Sequence, residues 1–449
     1  MSQLKFLYTQ SELSQFANDI ITRSIKLGAS AAQVELSESI STDIEVLEEK
    51  IENFETSHES QMLLTVYIGQ QKGHIGISNI DIKNLDSTIT QALEIAKYTQ
   101  PDPANGILEE KYLAQKDFPQ LNLFSPHAED NSLLIATAIE IEQRALQSDN
   151  RISASDGASV SLTTYNFVTA NSNQFNLGYQ TSRYSNSVSL IGNTQDGMQT
   201  DYWYSSARNY ANLLLPKELA KEASSRLLRR LNKGSFKESS CKVIFETNVA
   251  KSIIGALIGA LSGNSQYRKL SFLNDSLGNK ILPKWLDIIE NPYISEGLSS
   301  CYFDNEGGRV YQRKLIDNGV VSGYLLSAYT ARKLGMAPTG NAGGAHNLEV
   351  SSNFAGNLAD LAKEMYSGLI IIETIGHGLN SVTGDYSVGA SALVVINGEI
   401  SHFTDNLTIS GNMRDIYNNI VHIASDSSPG SLICGSMLIE SGCLQISGK

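Results

Sequence analysis

Cysteine is scarce in this chain and never paired. Cys241, Cys301, Cys434 and Cys443 are the only four in 449 residues, with no CxxC spacing, which speaks against a zinc ribbon or a disulfide framework. Long apolar runs are missing too: Leu369 to Ile372 falls far short of the roughly 20 residues of a membrane helix. The first residues, MSQLKFLYTQSELSQ, contain no apolar segment of signal-peptide length. Positive charge is outweighed, 34 Lys and Arg against 47 Asp and Glu, giving a net charge of -13 that argues against a nucleic-acid partner. HExxH, HxH, GxGxxG, GxxxxGK[ST] and GxSxG are all absent. What remains is an ordinary globular composition, 41% hydrophobic and 18% charged with a mean hydropathy of -0.16. The expectation is a cytoplasmic protein with neither membrane nor nucleic acid as partner.

A chain of this length exceeds one comfortable hydrophobic core. Thr9-Gln10-Ser11-Glu12 forms a capping box, in which hydroxyl and carboxylate each satisfy a free backbone N–H. Leu13, Phe16, Ala17, Ile20, Ile21 and Leu27 follow at helical spacing, and Gly28 supplies the stop. The runs AQVELSES, TDIEVLEE, MLLTVYIG and GHIGIS alternate with a period of two and predict strands. Leu85, Ile89, Ala92, Leu93 and Ala96 mark a second helix, ended by Pro101 and Pro103. These elements predict an N-terminal α+β domain over 1–120, with antiparallel strands and amphipathic helices. A helix from Asn131 to Gln147 and a Ser/Thr/Tyr/Asn-rich meander from Ser155 to Asn209 predict a second unit over 121–235. The charged helix Pro216 to Asn232 closes it, with Lys217 to Arg230 expected to be a solvated face.

The remainder, 236–449, predicts a β-rich C-terminal domain. It opens with the strand CKVIFET and the apolar, small-residue helix VAKSIIGALIGALSG over 249–263. KLIDNGVVSGYL and LVVINGEISHF each place Asn-Gly between apolar runs, the strongest short hairpin signal, because both turn residues must accept positive φ.

Chemistry candidates are few. Glu373 and His377 would share a helical face at i, i+4, a spacing able to hold a metal, but Gly376 and Gly378 work against a helix and no strong third ligand is evident. Cys434, in SLICGSMLIE, reads as a small buried hydrophobe unless a base stands nearby. Asp385, Tyr386 and Ser387 offer an acid, a phenol and a hydroxyl that could orient a peptide or simply satisfy their own loop. The glycines of DNEGGR and TGNAGGAHN lack the Lys-Ser/Thr of a phosphate cradle and read as turns.

Three segments carry a resemblance. TGDYSVGASALVVINGEI through LTISGNMRDIYNNI is similar to the C-terminal signature of the TldD/PmbA (modulator of DNA gyrase) metallopeptidases. ALEIAKYTQPDP resembles the N-terminal domain of that family, and YFDNEGGRVYQRKLIDNGVVSGYLLSAYTARKLGMAPTGNAGG its middle. YRKLSF and CGS look like the PmbA (or TldE) branch, which pairs with a TldD-like chain that carries zinc on an HExxxH helix plus a distant cysteine.

The resemblance implies that Ile254, Gly255 and Gly259 stand where the ligand His, the general-base Glu and the second ligand His would be, with Cys434 near the metal cysteine. His377 stands where this branch would have glutamine. The reading is therefore a degenerate metal helix, no catalytic residue and no metal bound by this chain, with zinc in the partner subunit. Glu373, His377, Asn380, Thr383, Asp385 and Tyr386 are the candidate lining of a peptide cleft. Extended or unfolded peptides, or leader peptides, are the implied substrates, and a homodimer is expected when the partner is absent. Two alternatives stand beside it: an autonomous metallopeptidase using Glu373, His377 and Cys434, or a regulatory binding protein that takes no part in cleavage.

Overall fold

The computed structural model describes residues 5–80, 84–126, 131–194, 197–428 and 430–448. The fold is mixed α+β, as the alternating patterns predict. Helix α1 (Gln10–Lys26) starts at the expected capping box, with Thr9 and Glu12 satisfying each other's backbone N–H. Leu13, Ala17, Ile20 and Ile21 are buried, whereas Leu27 is 44% exposed: it caps the helix instead of extending its apolar face. Gly28 leaves the helix at φ +114°, a conformation that favours glycine.

The short runs read in the sequence merge into long strands, β1 (Ala31–Leu47), β2 (Lys50–Ile68) and β3 (Gln71–Ser78), followed by α2 (Leu85–Tyr98) and α3 (Asn131–Leu146). The meander forms β4 (Ile152–Asn171), β5 (Asn176–Thr194) and β6 (Gly197–Ala207), and α4 (Pro216–Arg230) follows. All six strands lie in one antiparallel sheet in the order β3-β2-β1-β4-β5-β6. β1 pairs with β4 from Gln33↔Asn171 to Val46↔Ala158, so a single sheet runs across the boundary placed at residue 120.

One face of this sheet is apolar and the other polar, because strand side chains alternate. Val34, Leu36, Ile44 and Val46 of β1 are fully buried under the four helices. The opposite face is laddered with hydroxyls: Ser41 to Thr163 at 3.0 Å, Ser159 to Ser187 at 2.8 Å and Ser161 to Ser185 at 2.6 Å. Near β4 and β5 one end of that face is covered by the C-terminal body, where Phe167 and Tyr179 meet Phe303 at ring distances of 6.2 and 5.4 Å.

The C-terminal body starts with β7 (Lys242–Phe245), α5 (Thr247–Ala260) and α6 (Gly263–Tyr267). Next come β8 (Ile288–Asn291), β9 (Arg313–Asp317), β10 (Val320–Val321), α7 (Ala328–Leu334), β11 (Asn347–Val350) and α8 (Leu358–Met365). Last are β12 (Gly368–Ile375), β13 (Asp385–Ile396), β14 (Glu399–Asn412), α9 (Met413–Asn418), β15 (Ile420–Ile423), β16 (Leu432–Ile433), β17 (Met437–Ile439) and β18 (Leu444–Gly448). They build a seven-stranded sheet, β15-β17-β7-β12-β13-β14-β18, and a five-stranded one, β10-β9-β8-β11-β16. Both Asn-Gly turns form hairpins, with φ +51° and +78° at Asn318 and Gly319, and +53° and +80° at Asn397 and Gly398.

Helix α4 is not the solvated face expected of it. Lys217 and Lys221 are exposed, but Arg226 and Arg230 are 5% and 8% exposed. Asp201 on β6 accepts from Arg226 Nε at 3.4 Å and from Arg230 Nε at 2.7 Å. Glu246, just before α5, accepts from Arg226 at 3.0 Å and Arg229 at 3.1 Å. These ion pairs join the six-stranded sheet to the C-terminal body.

Candidate functional site

Helix α5 forms because Val249, Ala250, Ile253, Ile254, Leu257 and Ala260 fall on one stripe and bury it in the large C-terminal core. Ile254 is 0% exposed and faces that core. Gly255 and Gly259, four residues apart, lie on the opposite, exposed face, where an added Cβ would meet nothing within 4 Å. The three positions aligned with the metal motif therefore do not share a face: one points inward and two are bare backbone facing outward.

Lys251, one turn before Gly255, is the residue that sequence reasoning overlooked. Its Nζ donates to Ser428 Oγ at 2.6 Å. Burial lowers its pKa, and nearby Cys434 opposes that shift. Cys434 lies between β16 and β17, 0% exposed, with its thiol donating to the Gly435 carbonyl at 3.4 Å. Burial pushes that thiol up to about 12, while the Lys251 ammonium pulls it down and Asp426 adds to the rise. The i, i+4 spacing from Lys251 to Gly255 was the signal that could have found this neighbour.

Zinc asks for three or four converging imidazole, thiolate or carboxylate ligands. Here the helix offers an inward isoleucine and two glycines, which leaves Cys434 as a single thiol, and one thiol cannot hold zinc alone. Among the described residues no group of three His, Cys, Asp or Glu is arranged to hold a metal ion. These side chains do not fit the ion.

Glu373 and His377 are not on a helix. Glu373 is on β12 and its Oε2 meets Arg230 Nη1 at 2.9 Å. His377 is exposed in the turn beyond, which Gly376 opens at φ +91°. Asn380 Oδ1 accepts the N–H groups of Val382 and Thr383 at 3.0 and 3.2 Å. Thr383 Oγ1 donates to Asp385 Oδ2 at 2.7 Å and Asn412 Nδ2 to Asp385 Oδ1 at 3.1 Å; both bonds hold that carboxyl below its usual range. Tyr386 is half-buried; burial raises its phenol, and a hydrogen bond with Thr374 opposes the rise. The loop thus satisfies its own polar groups, and Glu373 turns to Arg230. The set Glu373, His377 and Cys434 is not assembled as a ligand group.

The open surface lies elsewhere. β6 is an edge strand, with its outer backbone unpaired in the sheet among the described residues. Tyr202 and Tyr204 stack on it with ring centroids 6.4 Å apart, and they stand opposite Ser189 and Ser187 on the hydroxyl face. Tyr, Ser and an available strand edge are the materials of an adaptable contact surface. No helix among the described residues is long and apolar enough to cross a membrane.

Comparison with known proteins gives this arrangement a family. Residues 125–231 match the PmbA/TldA metallopeptidase central domain and residues 238–445 its C-terminal domain. A "Metalloprotease PmbA homolog" of Haemophilus influenzae is 38% identical over 98% of this chain and 97% of its own length. The "Metalloprotease PmbA" of Escherichia coli O157:H7 is 36% identical over 93% of this chain and 92% of its own. Two solved structures share the fold. A Bacteroides thetaiotaomicron protein described as a modulator of DNA gyrase has a TM-score of 0.91 at 24% identity, covering 97% of this chain and 98% of that one. TldE from Thermococcus kodakarensis has a TM-score of 0.85 at 17% identity, covering 96% and 100%. The helix, the two Asn-Gly hairpins and the sheets around them are thus those of a family scaffold, and this chain belongs to the PmbA/TldD metallopeptidase family, on its PmbA branch.

Proposed function

We propose that this chain is the zinc-free partner in a two-subunit, cytoplasmic metalloprotease: a TldD-like chain contributes the metal, and this one helps bind extended or unfolded peptides. The observation that carries the reading is the outward face of α5, bare at Gly255 and Gly259, with Ile254 turned into the core and Cys434 left as a single buried thiol. Zinc-activated water needs an open coordination site held by several protein ligands, and these side chains supply at most one. The edge strand β6 and the hydroxyl face beside it support peptide capture through backbone pairing, which gives affinity without demanding sequence.

The test is reconstitution. The purified chain is assayed on an unfolded protein substrate alone, then with a TldD-like chain from the same organism, each with and without chelator. The expected result is no turnover from this chain alone and chelator-sensitive turnover, faster than the partner alone, from the mixture. Chelator-sensitive cleavage by this chain alone would overturn the reading in favour of an autonomous peptidase. A partner whose rate is unchanged by this chain would point to the regulatory binding protein instead.

A further inference from the structure

Away from α5, a half-open cavity of about 140 Å³ lies where the six-stranded sheet meets the C-terminal body. It is close in size to a cavity of roughly 150 Å³ that admits a benzene ring. Phe167, Tyr179 and Phe303 supply aromatic walls, and the exposed turn Gly343–Gly344, at φ +110° and +121°, lines its rim. Two features inside are not explained by packing. Thr169 Oγ1 is buried, in a residue 1% exposed, with no hydrogen-bond partner among the described residues. Cys301 Sγ lies 3.2 Å from His346 Nδ1 across 45 residues of sequence.

The tautomer of that imidazole follows from its other nitrogen. His346 Nε2 is 2.8 Å from the Gly340 carbonyl, which can only accept, so Nε2 carries the hydrogen in the neutral ring. Nδ1 is then a lone pair, and the Cys301 thiol donates to it. His346 is held in place by its backbone N–H, which donates to the buried Glu290 at 3.0 Å. Base, orienting acceptor and sulfur nucleophile therefore stand in line. Burial pushes the Cys301 thiol up to about 12, with the Asp304 and Glu290 carboxylates adding and Arg208 opposing. The resting sulfur is a neutral thiol, so its proton must pass to the imidazole as the sulfur reacts.

We propose that Cys301 and His346 form a thiol-addition site for small α,β-unsaturated carbonyl compounds, with the Thr169 hydroxyl donating to the carbonyl oxygen. His346 Nδ1 takes the thiol proton while the sulfur lone pair forms a C–S bond to the β-carbon. The C=C electron pair moves to the α-carbon, which takes the proton back from the imidazolium. The sum is addition, with no leaving group and no redox change.

The four free cysteines provide their own controls. The intact native protein is treated with acrylamide and each cysteine's labelling rate is read by peptide mass spectrometry. Cys301 should react about tenfold faster than Cys241 and Cys434, whose thiols burial pushes up equally, to about 12. His346→Gln should slow Cys301 by about a hundredfold and leave Cys443 unchanged. Thr169→Val, nearly the same shape, should slow it by about threefold or more. In the unaltered protein, a polymer-tailed maleimide should discriminate against Cys301 far more than against Cys443. Cys301 labelling no faster than Cys434, or unmoved by His346→Gln, overturns the proposal. If His346→Gln unfolds, Thr169→Val decides: an unchanged Cys301 rate refutes it.

Discussion

Two buried polar centres sit where the six-stranded sheet meets the C-terminal body, and they are neutralised in opposite ways. Around Asp201 every charge has a countercharge: Arg226 and Arg230 bind it, Glu246 takes Arg226 and Arg229, and Glu373 takes the outer side of Arg230. The arginines also lie over rings, Arg226 above Trp203 at 4.6 Å and Arg230 above Phe403 at 5.5 Å. Asp304 itself forms no ion pair among the described residues. Its carboxyl accepts N–H groups from Glu306 at 3.0 Å, Gly308 at 2.7 Å and Ala342 at 2.9 Å. Burial raises Asp304 despite those bonds, and it lifts neighbouring Glu306 to about 7. A compensated centre locks two bodies together; an uncompensated one beside an open cavity stores cost that a ligand or a proton can relieve.

The sharpest way to break the comparison is to remove the hub of the compensated centre. Asp201→Ala leaves two nearly buried guanidinium groups short of a partner, and the expected loss is about 3–5 kcal/mol, read by urea unfolding. A loss under about 1 kcal/mol would mean that the network is ornamental. Asp304→Ala tests the other centre. It strands three backbone N–H groups around a residue 4% exposed, with an expected loss of about 3 kcal/mol. Asp304→Asn, which keeps an acceptor, should recover part of it.

Neither centre was legible in the sequence, and the reason is separation along the chain. Local signals served well: the Thr9–Glu12 box, the helical spacing Leu85 to Ala96 and both Asn-Gly turns are written within a dozen residues each. Arg226 and Arg230 read as solvated because their partners, Asp201, Glu246 and Glu373, belong to other elements. The same distance hid the pairing of β1 with β4, and the approach of His346 to Cys301. Strands of 17 to 20 residues were read as shorter pieces because local alternation is judged against typical strand lengths of about 5–6 residues. On α5 the motif alignment drew attention to Ile254, Gly255 and Gly259, but only the fold shows that these positions face opposite ways.

Protonation provides a milder probe of the uncompensated centre. Glu306 accepts the Ala328 N–H at 2.8 Å, and burial raises its carboxyl from 4.5 to about 7. Between those values the folded chain holds a proton that the unfolded chain releases. That contribution is complete below about 4.5 and is lost as pH rises through about 7. Glu306→Gln keeps an acceptor for Ala328 and removes the titration. The variant should be more stable than the natural chain by about 1–2 kcal/mol near pH 8 and lose that advantage near pH 5, read as the difference in melting temperature. An advantage that does not change with pH would show that Glu306 is ionised in the fold.

The smallest effect expected is at Glu373, and it bears most directly on function. Its side chain is 45% exposed, so the 2.9 Å contact with Arg230 is screened by water, and Arg230 keeps Asp201 when the contact goes. Glu373→Gln should therefore cost less than about 1 kcal/mol, and the loss should shrink further in added salt. The ion pair also fixes where this carboxylate points: toward Arg230 of α4. A metal ligand or general base at Glu373 would reveal itself differently, through a change in bound metal or in cleavage by the reconstituted pair with stability intact. Because removing this carboxylate disturbs neither the compensated hub nor the loop that satisfies itself around Asn380 and Asp385, any large catalytic loss from Glu373→Gln would have to come from chemistry. The arrangement of Arg230 predicts that none occurs.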